Sequence, residues 1–503
     1  MEGFGQRCIA KLRALAFVLC ALAAPARLRA QWPTADAPAA KWDTGKGNGA
    51  LASVVDTNPD PRILEFALEA RVASVEFAPG ETIDAYTYNG VLPGPLVRAR
   101  VGDRLIAHFT NHLPQSTTVH WHGVRVPIQM DGVPGISQDE VKPGESFTYD
   151  FTLTDAGLYW YHPHVMSAAQ VGFGLYGAIL VDDPDDGVLK PDGSKFRERV
   201  LVISDIGIEA PGKFEDPESG GSGGMAFGRD GNRLLINGQV VPTFPARAGE
   251  TERWRIVNTA KSRYYELDLR GEQTGVGRFT LIGVDGGLQE YPTKHDTLVL
   301  APGERADVLV RPPGRPGETL MARALLFNRG YGSVEARLPF EDYFNIQFSS
   351  EPELAPVFTD GKLPDVKRDI KPIAAAGATP IKLDLVIAQH PDKSFEYGIN
   401  GVPFMKDQDI PARTGQTQIW TLNNKTKWSH PFHLHGFFFQ QLDENEKPVH
   451  PLAWKDTINV PFEKSLKFIV KFEDRPGMWM THCHILDHAE GGLMGMVQLM
   501  PSQ

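Results

Sequence analysis

From Ile63 to about Pro184, apolar and polar positions alternate in short runs closed by turn residues: Ile63-Leu64-Glu65-Phe66, Asp84-Ala85-Tyr86-Thr87-Tyr88 and Arg104-Leu105-Ile106-Ala107-His108-Phe109. Runs of this length and period predict strands rather than helices. Among them sits Ala99-Arg100-Val101-Gly102, with Asn111 nine residues after the glycine. The same skeleton returns as Ala246-Arg247-Ala248-Gly249 with Asn258, and as Ala412-Arg413-Thr414-Gly415 with Asn424. Three copies at one Gly-to-Asn interval, about 150 residues apart, predict three homologous β domains.

Composition agrees. At 503 residues the chain has room for about three domains, and its 50 Gly and 39 Pro fall largely in turn-like clusters. The expected plan is a first domain over 60–185, a second over 186–350, a linker over 351–380 and a third over 381–503. Gly220-Gly221-Ser222-Gly223-Gly224, inside 206–232, reads as a flexible surface loop. A formal charge of -11 leaves no basic field for nucleic acid.

Residues 1–30 read as a secretory signal: Arg7, Lys11 and Arg13 precede an apolar run from Ala14 to Ala24, and small residues follow at Ala24, Ala26 and Ala30. That run is about half the length a bilayer span requires, and no later segment qualifies. The expectation is an exported, monomeric protein, periplasmic or extracellular, with no membrane span once the signal is removed. Cys8 and Cys20 lie in or before the signal, so Cys483 would be the one thiol of the mature chain. An odd cysteine in an oxidising compartment needs a use, and metal ligation provides one.

Ten of the 15 histidines fall in four clusters: His120-Trp121-His122-Gly123, His162-Pro163-His164, His430-Pro431-Phe432-His433-Leu434-His435-Gly436, and His482-Cys483-His484 with His488. Each contains a His-x-His pair, which a strand directs to one face. His120/His122 and His433/His435 stand nine and eleven residues beyond Asn111 and Asn424, where the second copy has Leu267 and Leu269. His162/His164 and His482/His484 stand five and seven beyond Gly157 and Gly477, and Gly317 leads in the same way to Ala322 and Ala324. The middle domain thus keeps the pattern and drops the ligands. Eight imidazoles exceed one ion's needs and suit three coppers sharing a cavity. Cys483 faces away from His482 and His484, and a thiolate with imidazoles suits a blue-copper electron-transfer centre.

These clusters, in this order, resemble those of the multicopper oxidases, and the three-domain plan resembles the laccase branch, over residues from about 60 to the end. The resemblance implies an all-β chain of three cupredoxin-like Greek-key β-barrels and four coppers. His430, Cys483 and His488 would hold the type 1 copper, and His120 and His433 the type 2 copper. The type 3 pair would be held by His122, His162 and His484 on one ion and His164, His435 and His482 on the other. It implies further that a reducing substrate gives single electrons to the type 1 copper. Cys483 then passes them through His482 and His484 to the cluster, where dioxygen is reduced to two waters.

Asp131, in Met130-Asp131-Gly132, resembles the family's acidic residue beside the type 2 copper; dioxygen reduction consumes protons, so a carboxyl group is expected there. Ala489 follows His488 where bacterial relatives often carry Glu, and Glu490 comes one later. Ten residues beyond Cys483, where many relatives carry an axial Met, stands Leu493, which cannot ligate, with Met494 beside it. Loop irregularity could still bring Met494 to the copper. A three-coordinate site favours a high potential and the oxidation of phenols or aromatic amines. Oxidation of cuprous or other metal ions is the alternative, though the 11 Met form no run; a non-enzymatic copper-binding or scaffold protein is a further one. Met478, Met480 and Met496 read as core packing. His108, His112, His295, His390 and His450 read as ordinary polar residues, and Asp456 as support for the type 1 region or as a structural carboxylate.

Overall fold

The computed structural model describes residues 31–33, 49–190, 192–269, 279–330, 340–357, 368–392, 394–404 and 409–502; the predicted signal segment lies outside them. Among the described residues no helix is long and apolar enough to cross a membrane.

Strands pair into three pairs of sheets along the chain. Ile63–Ala78 runs parallel to Arg104–Asn111, Arg197–Ile206 to Glu252–Asn258, and Thr379–Gln389 to Thr417–Asn424. On the opposing sheets Gly94–Arg100 runs parallel to Gly177–Asp182, Thr243–Ala246 to Phe340–Phe348, and Asp409–Arg413 to Met494–Met500. Two parallel pairings within otherwise antiparallel sheets, repeated three times, are what Greek-key crossovers between facing sheets produce. The chain is all-β, built of cupredoxin-like barrels.

The repeated Gly-to-Asn interval has one physical cause in all three copies. Gly102, Gly249 and Gly415 turn the chain at φ of +83°, +79° and +81°, conformations that a side chain disfavours. The strand that follows ends on the asparagine, whose Nδ2 ties the next loop to the facing sheet. Asn111 donates to the carbonyls of Gln115 and Val141, Asn258 to those of Arg263 and Leu300, and Asn424 to those of Trp428 and Val460. Each asparagine is buried, so both carbonyls would otherwise lose a donor away from water.

Two expectations change. Gly220–Gly224 is not an open loop: after a short hairpin of Ile208–Ala210 and Lys213–Phe214, Gly221–Phe227 forms a helix held against the third barrel. In the middle barrel Leu267 stands opposite Ala324, as His120 stands opposite His162 and His433 opposite His482. Ala324, not Ala322, therefore occupies the equivalent of His162, because a register shift at Ala322/Arg323 offsets the count from Gly317. Leu267, Leu269, Ala322 and Ala324 all pack into that barrel's apolar core, so these positions serve packing where the outer barrels keep imidazoles.

Candidate metal centres

Cys483 closes the strand Gly477–Cys483, His430 opens the strand His430–Leu434 beside it, and His488 lies on the short helix Leu486–Glu490. Cys483 Sγ is 3.5 Å from His430 Nδ1 and 3.7 Å from His488 Nδ1, and the two nitrogens are 3.1 Å apart. Metal–imidazole bonds of about 2.0 Å and a metal–thiolate bond of about 2.3 Å at trigonal angles separate ligand atoms by about 3.2–3.7 Å, so the triad is already spaced for one ion. The remote nitrogens are anchored. His430 Nε2 meets Thr426 Oγ1 at 2.7 Å, and His488 Nε2 meets Tyr397 Oη at 3.4 Å beneath the Ala226 carbonyl. Both Nδ1 lone pairs are thereby turned toward the sulfur. Burial pushes the Cys483 thiol up, against an N–H bond from Ile485 and the Arg329 charge, so a bound cation must displace its proton.

Leu493 lies with Cys483 and Ile485 in one buried apolar cluster. Met494 points the other way, into a separate cluster with Val133, Met480 and Met496. The side chain that packs beside Cys483 from this segment is therefore hydrocarbon, not thioether.

On the other face of Cys483, His482 and His484 join six further imidazoles. His120 stacks on His435 at 3.9 Å between centroids, and His122 on His433 at 3.8 Å. His435 Nε2 and His482 Nε2 are 3.0 Å apart, and with His164 their ligand atoms lie within 4.8 Å of one another. The trio His122, His162 and His484 is looser, with ring centroids 4.8–5.8 Å apart, and the tightest set around His162 is His120, His122 and His162.

The outward nitrogens are taken. His120 Nδ1 meets the Asp131 carbonyl at 2.7 Å, His433 Nδ1 the Asp456 carbonyl at 2.9 Å, His162 Nδ1 the Pro163 carbonyl at 3.0 Å and His482 Nδ1 the Cys483 carbonyl at 2.9 Å. The inward ones are not. Among the described residues His120 Nε2, His122 Nδ1, His162 Nε2, His164 Nε2, His433 Nε2 and both nitrogens of His484 are buried without a hydrogen bond. Each such group costs about 1–3 kcal/mol when left unsatisfied, so convergence of several in one cavity fits metal ligation and not packing. Burial also pushes His122, His162, His164, His433, His435, His482 and His484 below the ordinary imidazole range, which keeps lone pairs available. The donor set fits copper.

Two carboxylates flank the cluster. Asp131 Oδ2 accepts His435 Nδ1–H at 2.8 Å, and Oδ1 lies 3.4 Å from His120 Nδ1. Burial opposes its charge, and the imidazoles of His435 and His120 outweigh burial, holding it below the usual carboxylate range. Of the two readings of Asp456, support for the type 1 region fails. The carboxylate does not reach the thiolate triad; Oδ1 stands 3.2 Å from His122 Nε2 and 3.5 Å from His433 Nδ1. Thr457 Oγ1 joins it at 3.2 Å and 3.1 Å from the same atoms. Burial would raise Asp456 as well, but the Arg305 guanidinium dominates and holds it ionised.

Arg305 was not visible from any motif. It is 2% exposed, and it donates from Nη1 to Asp456 Oδ1 at 2.7 Å, from Nε to the Leu158 carbonyl at 3.0 Å and from Nη2 to the Asp285 carbonyl at 3.1 Å. One side chain of the middle barrel thus grips both outer ones.

Sequence models described as multicopper oxidase match residues 69–186, 199–330 and 377–503. A multicopper oxidase of Mycobacterium tuberculosis is 30% identical, the alignment covering 82% of this chain and 83% of that one. A laccase of Bacillus subtilis is 26% identical over 81% of this chain and 88% of its own. Among solved structures, a multicopper oxidase of Campylobacter jejuni described as a metallo-oxidase superposes with a TM-score of 0.77 at 28% identity, covering 95% of this chain and 98% of that one.

Proposed function

The chain belongs to the multicopper oxidase family and is a copper-dependent oxidoreductase, and from that premise we propose a laccase-type function. The reductants are phenols or aromatic amines, and the acceptor is dioxygen. Four coppers are held per chain: one by His430, Cys483 and His488, one by His120 and His433, and two by His122, His162 and His484 with His164, His435 and His482. When bound, copper supplies one-electron chemistry at the triad and dioxygen reduction at the cluster.

The protein's part is position and access. Cys483 sits in the chain between His482 and His484, so the shortest covalent path from triad to cluster is one peptide unit in either direction. Asp131 and Asp456 fix four of the cluster imidazoles. Asp131 Oδ1, whose nearest described partner is His120 Nδ1 at 3.4 Å, is the carboxylate oxygen left open to take up and hand on a proton beside the cluster. The signal-like N-terminus and the single remaining thiol support export to the periplasm or beyond.

The observation that carries the substrate class is Leu493. A copper held by His430, Cys483 and His488 would have the Leu493 hydrocarbon beside it in place of a thioether donor, and the high potential that this would give suits phenols. A second reading, oxidation of cuprous or other small metal ions, is favoured by a different feature. His488 is fully buried beneath the helix Gly221–Phe227, and the Met225 thioether lies against Gly491, where a Cβ would stand 2.3 Å from Sδ. That cover leaves no direct contact for a bulky ring.

The test is an optical spectrum and metal count of copper-loaded protein and of Cys483→Ser, followed by turnover of a phenol with and without added cupric ion. The laccase reading expects an intense blue band lost in the variant and turnover independent of added copper. Turnover that requires added cupric ion would transfer the assignment to metal oxidation, and a colourless, copper-poor protein would end both.

A further inference from the structure

One arginine is buried beside the thiolate triad with no part in holding a ligand. Arg329 is 1% exposed. Its Nη1 donates to Ser262 Oγ at 3.0 Å, and its Nη2 to the Phe227 carbonyl at 3.0 Å and to Asp230 Oδ1 at 3.1 Å. Its own carbonyl accepts the N–H of Ser429, the neighbour of His430, at 2.7 Å. The guanidinium lies 5.8 Å from the ring centroid of Tyr264, which shares a buried cluster with Cys483, Ile485 and Leu493. A Cβ at Gly228 would stand 3.3 Å from Arg329 Nη2 and 2.9 Å from Ile485 Cγ2. A single glycine therefore separates the cation from Ile485, whose N–H is bonded to the Cys483 sulfur.

We propose that Arg329 sets the reduction potential of the triad: its buried guanidinium is a fixed cation that favours the reduced over the oxidised form of the copper held by His430, Cys483 and His488. One electron entering the triad lowers its charge by one, with no bond broken and no proton moved at Arg329. A positive charge in a poorly polarisable interior stabilises the less positive state, and an arginine, unlike a buried lysine, does not shed its proton to escape the cost. The guanidinium stands against Gly228, which packs on Ile485, and beside Tyr264 in the buried cluster that contains Cys483, so its charge reaches the triad through buried atoms. The Asp230 carboxylate, bonded to the same Nη2 at 3.1 Å, holds the guanidinium in place and offsets part of its charge. The middle barrel, which supplies no copper ligand, thus supplies the charge, in the same direction as the missing axial ligand.

This inference rests on the triad being the blue-copper site, and the experiment separates the two. The parent, Arg329→Gln, Arg329→Lys and Asp230→Asn are loaded with copper, and the potential of the blue band is measured by redox titration. Arg329→Gln should shift the equilibrium toward oxidised copper by about tenfold or more, equivalent to about 59 mV for one electron. Arg329→Lys should retain at least half of the parent's advantage, and Asp230→Asn should move the potential upward. Intact blue bands with an unmoved potential in Arg329→Gln, or a fall in Asp230→Asn, would overturn the tuning role. If Arg329→Gln does not load copper, the opposite signs expected of Arg329→Lys and Asp230→Asn decide it. Absence of a blue band in the parent would be a failure of the site assignment instead.

Discussion

Replacing Arg305 with Met tests how far the metal-free middle barrel supports the copper cluster. The substitution removes donors to Asp456, Leu158 and Asp285 and leaves the Asp456 charge buried with His122, His433 and Thr457 beside it and no guanidinium against it. Asp285 keeps Lys455 at 3.2 Å, so the loss falls on Asp456. Breaking a buried pair from one side costs about 3–5 kcal/mol. For a cooperative unit of about 150–250 residues that lowers the melting temperature by about 6–20 °C, measured by calorimetry on copper-free protein. Metal affinity should fall as well, by about 10–100-fold, because Asp456 orients two imidazoles of the cluster; a chelator titration reads this directly. The double variant Arg305→Met/Asp456→Leu should recover much of the stability and none of the affinity. An Arg305→Met protein that melts within about 2 °C of the parent and holds copper as tightly would refute the reasoning.

Leu493→Met conserves volume and should cost less than about 1.5 kcal/mol in stability, while the added thioether lowers the potential of the blue site; a potential that rises or stays put would place the axial direction elsewhere. Copper-free protein should lose stability as pH falls below about 6.5. Burial holds His430 and His435 down to about 3 in the fold, so the unfolded chain takes up protons that the folded one refuses. The contribution is complete above the unfolded value and is lost on the way down to about pH 3. At pH 5.5 the loss amounts to about 1.4 kcal/mol per histidine relative to pH 7.5, read as a falling urea midpoint; a midpoint flat over that interval would show these imidazoles taking up protons in the fold as they do in the unfolded chain.

Much of the site was legible because its chemistry is tied to short-range spacing. Parity along an extended strand turns Cys483 away from His482 and His484 whatever the rest of the chain does, and the structure has Sγ on the triad side and His482 Nε2 on the other. The Gly-to-Asn interval was legible for the same reason, since a left-handed turn and a strand of fixed length separate Gly102 from Asn111. What escaped depends on contacts between distant segments. Arg305 and Arg329 stand in a barrel without ligands, and no local pattern tells a buried guanidinium from a surface one. The two readings of Asp456, support for the type 1 region or a structural carboxylate, could not be separated in sequence, because a position between two ligand motifs does not say which face of the sheet it supports. The Gly220–Gly224 stretch was misread because composition predicts a free chain. Tertiary anchors, above all Arg229 to Asp487 and to the Ser219 and Gly221 carbonyls, wind it into a helix.

The bond from Asp131 to His435 spans 304 positions of chain. At about 5–20 residues per second, ribosomal synthesis separates its two ends by about 15–60 s, during which the first barrel can fold while its four imidazoles lack their counterparts. Nothing that captures a metal ion early can have the final coordination, and any ion so captured must change its ligands when the last strand arrives. The cluster therefore closes only on a finished polypeptide, and its metal content is a record of whether the two ends of the molecule ever met.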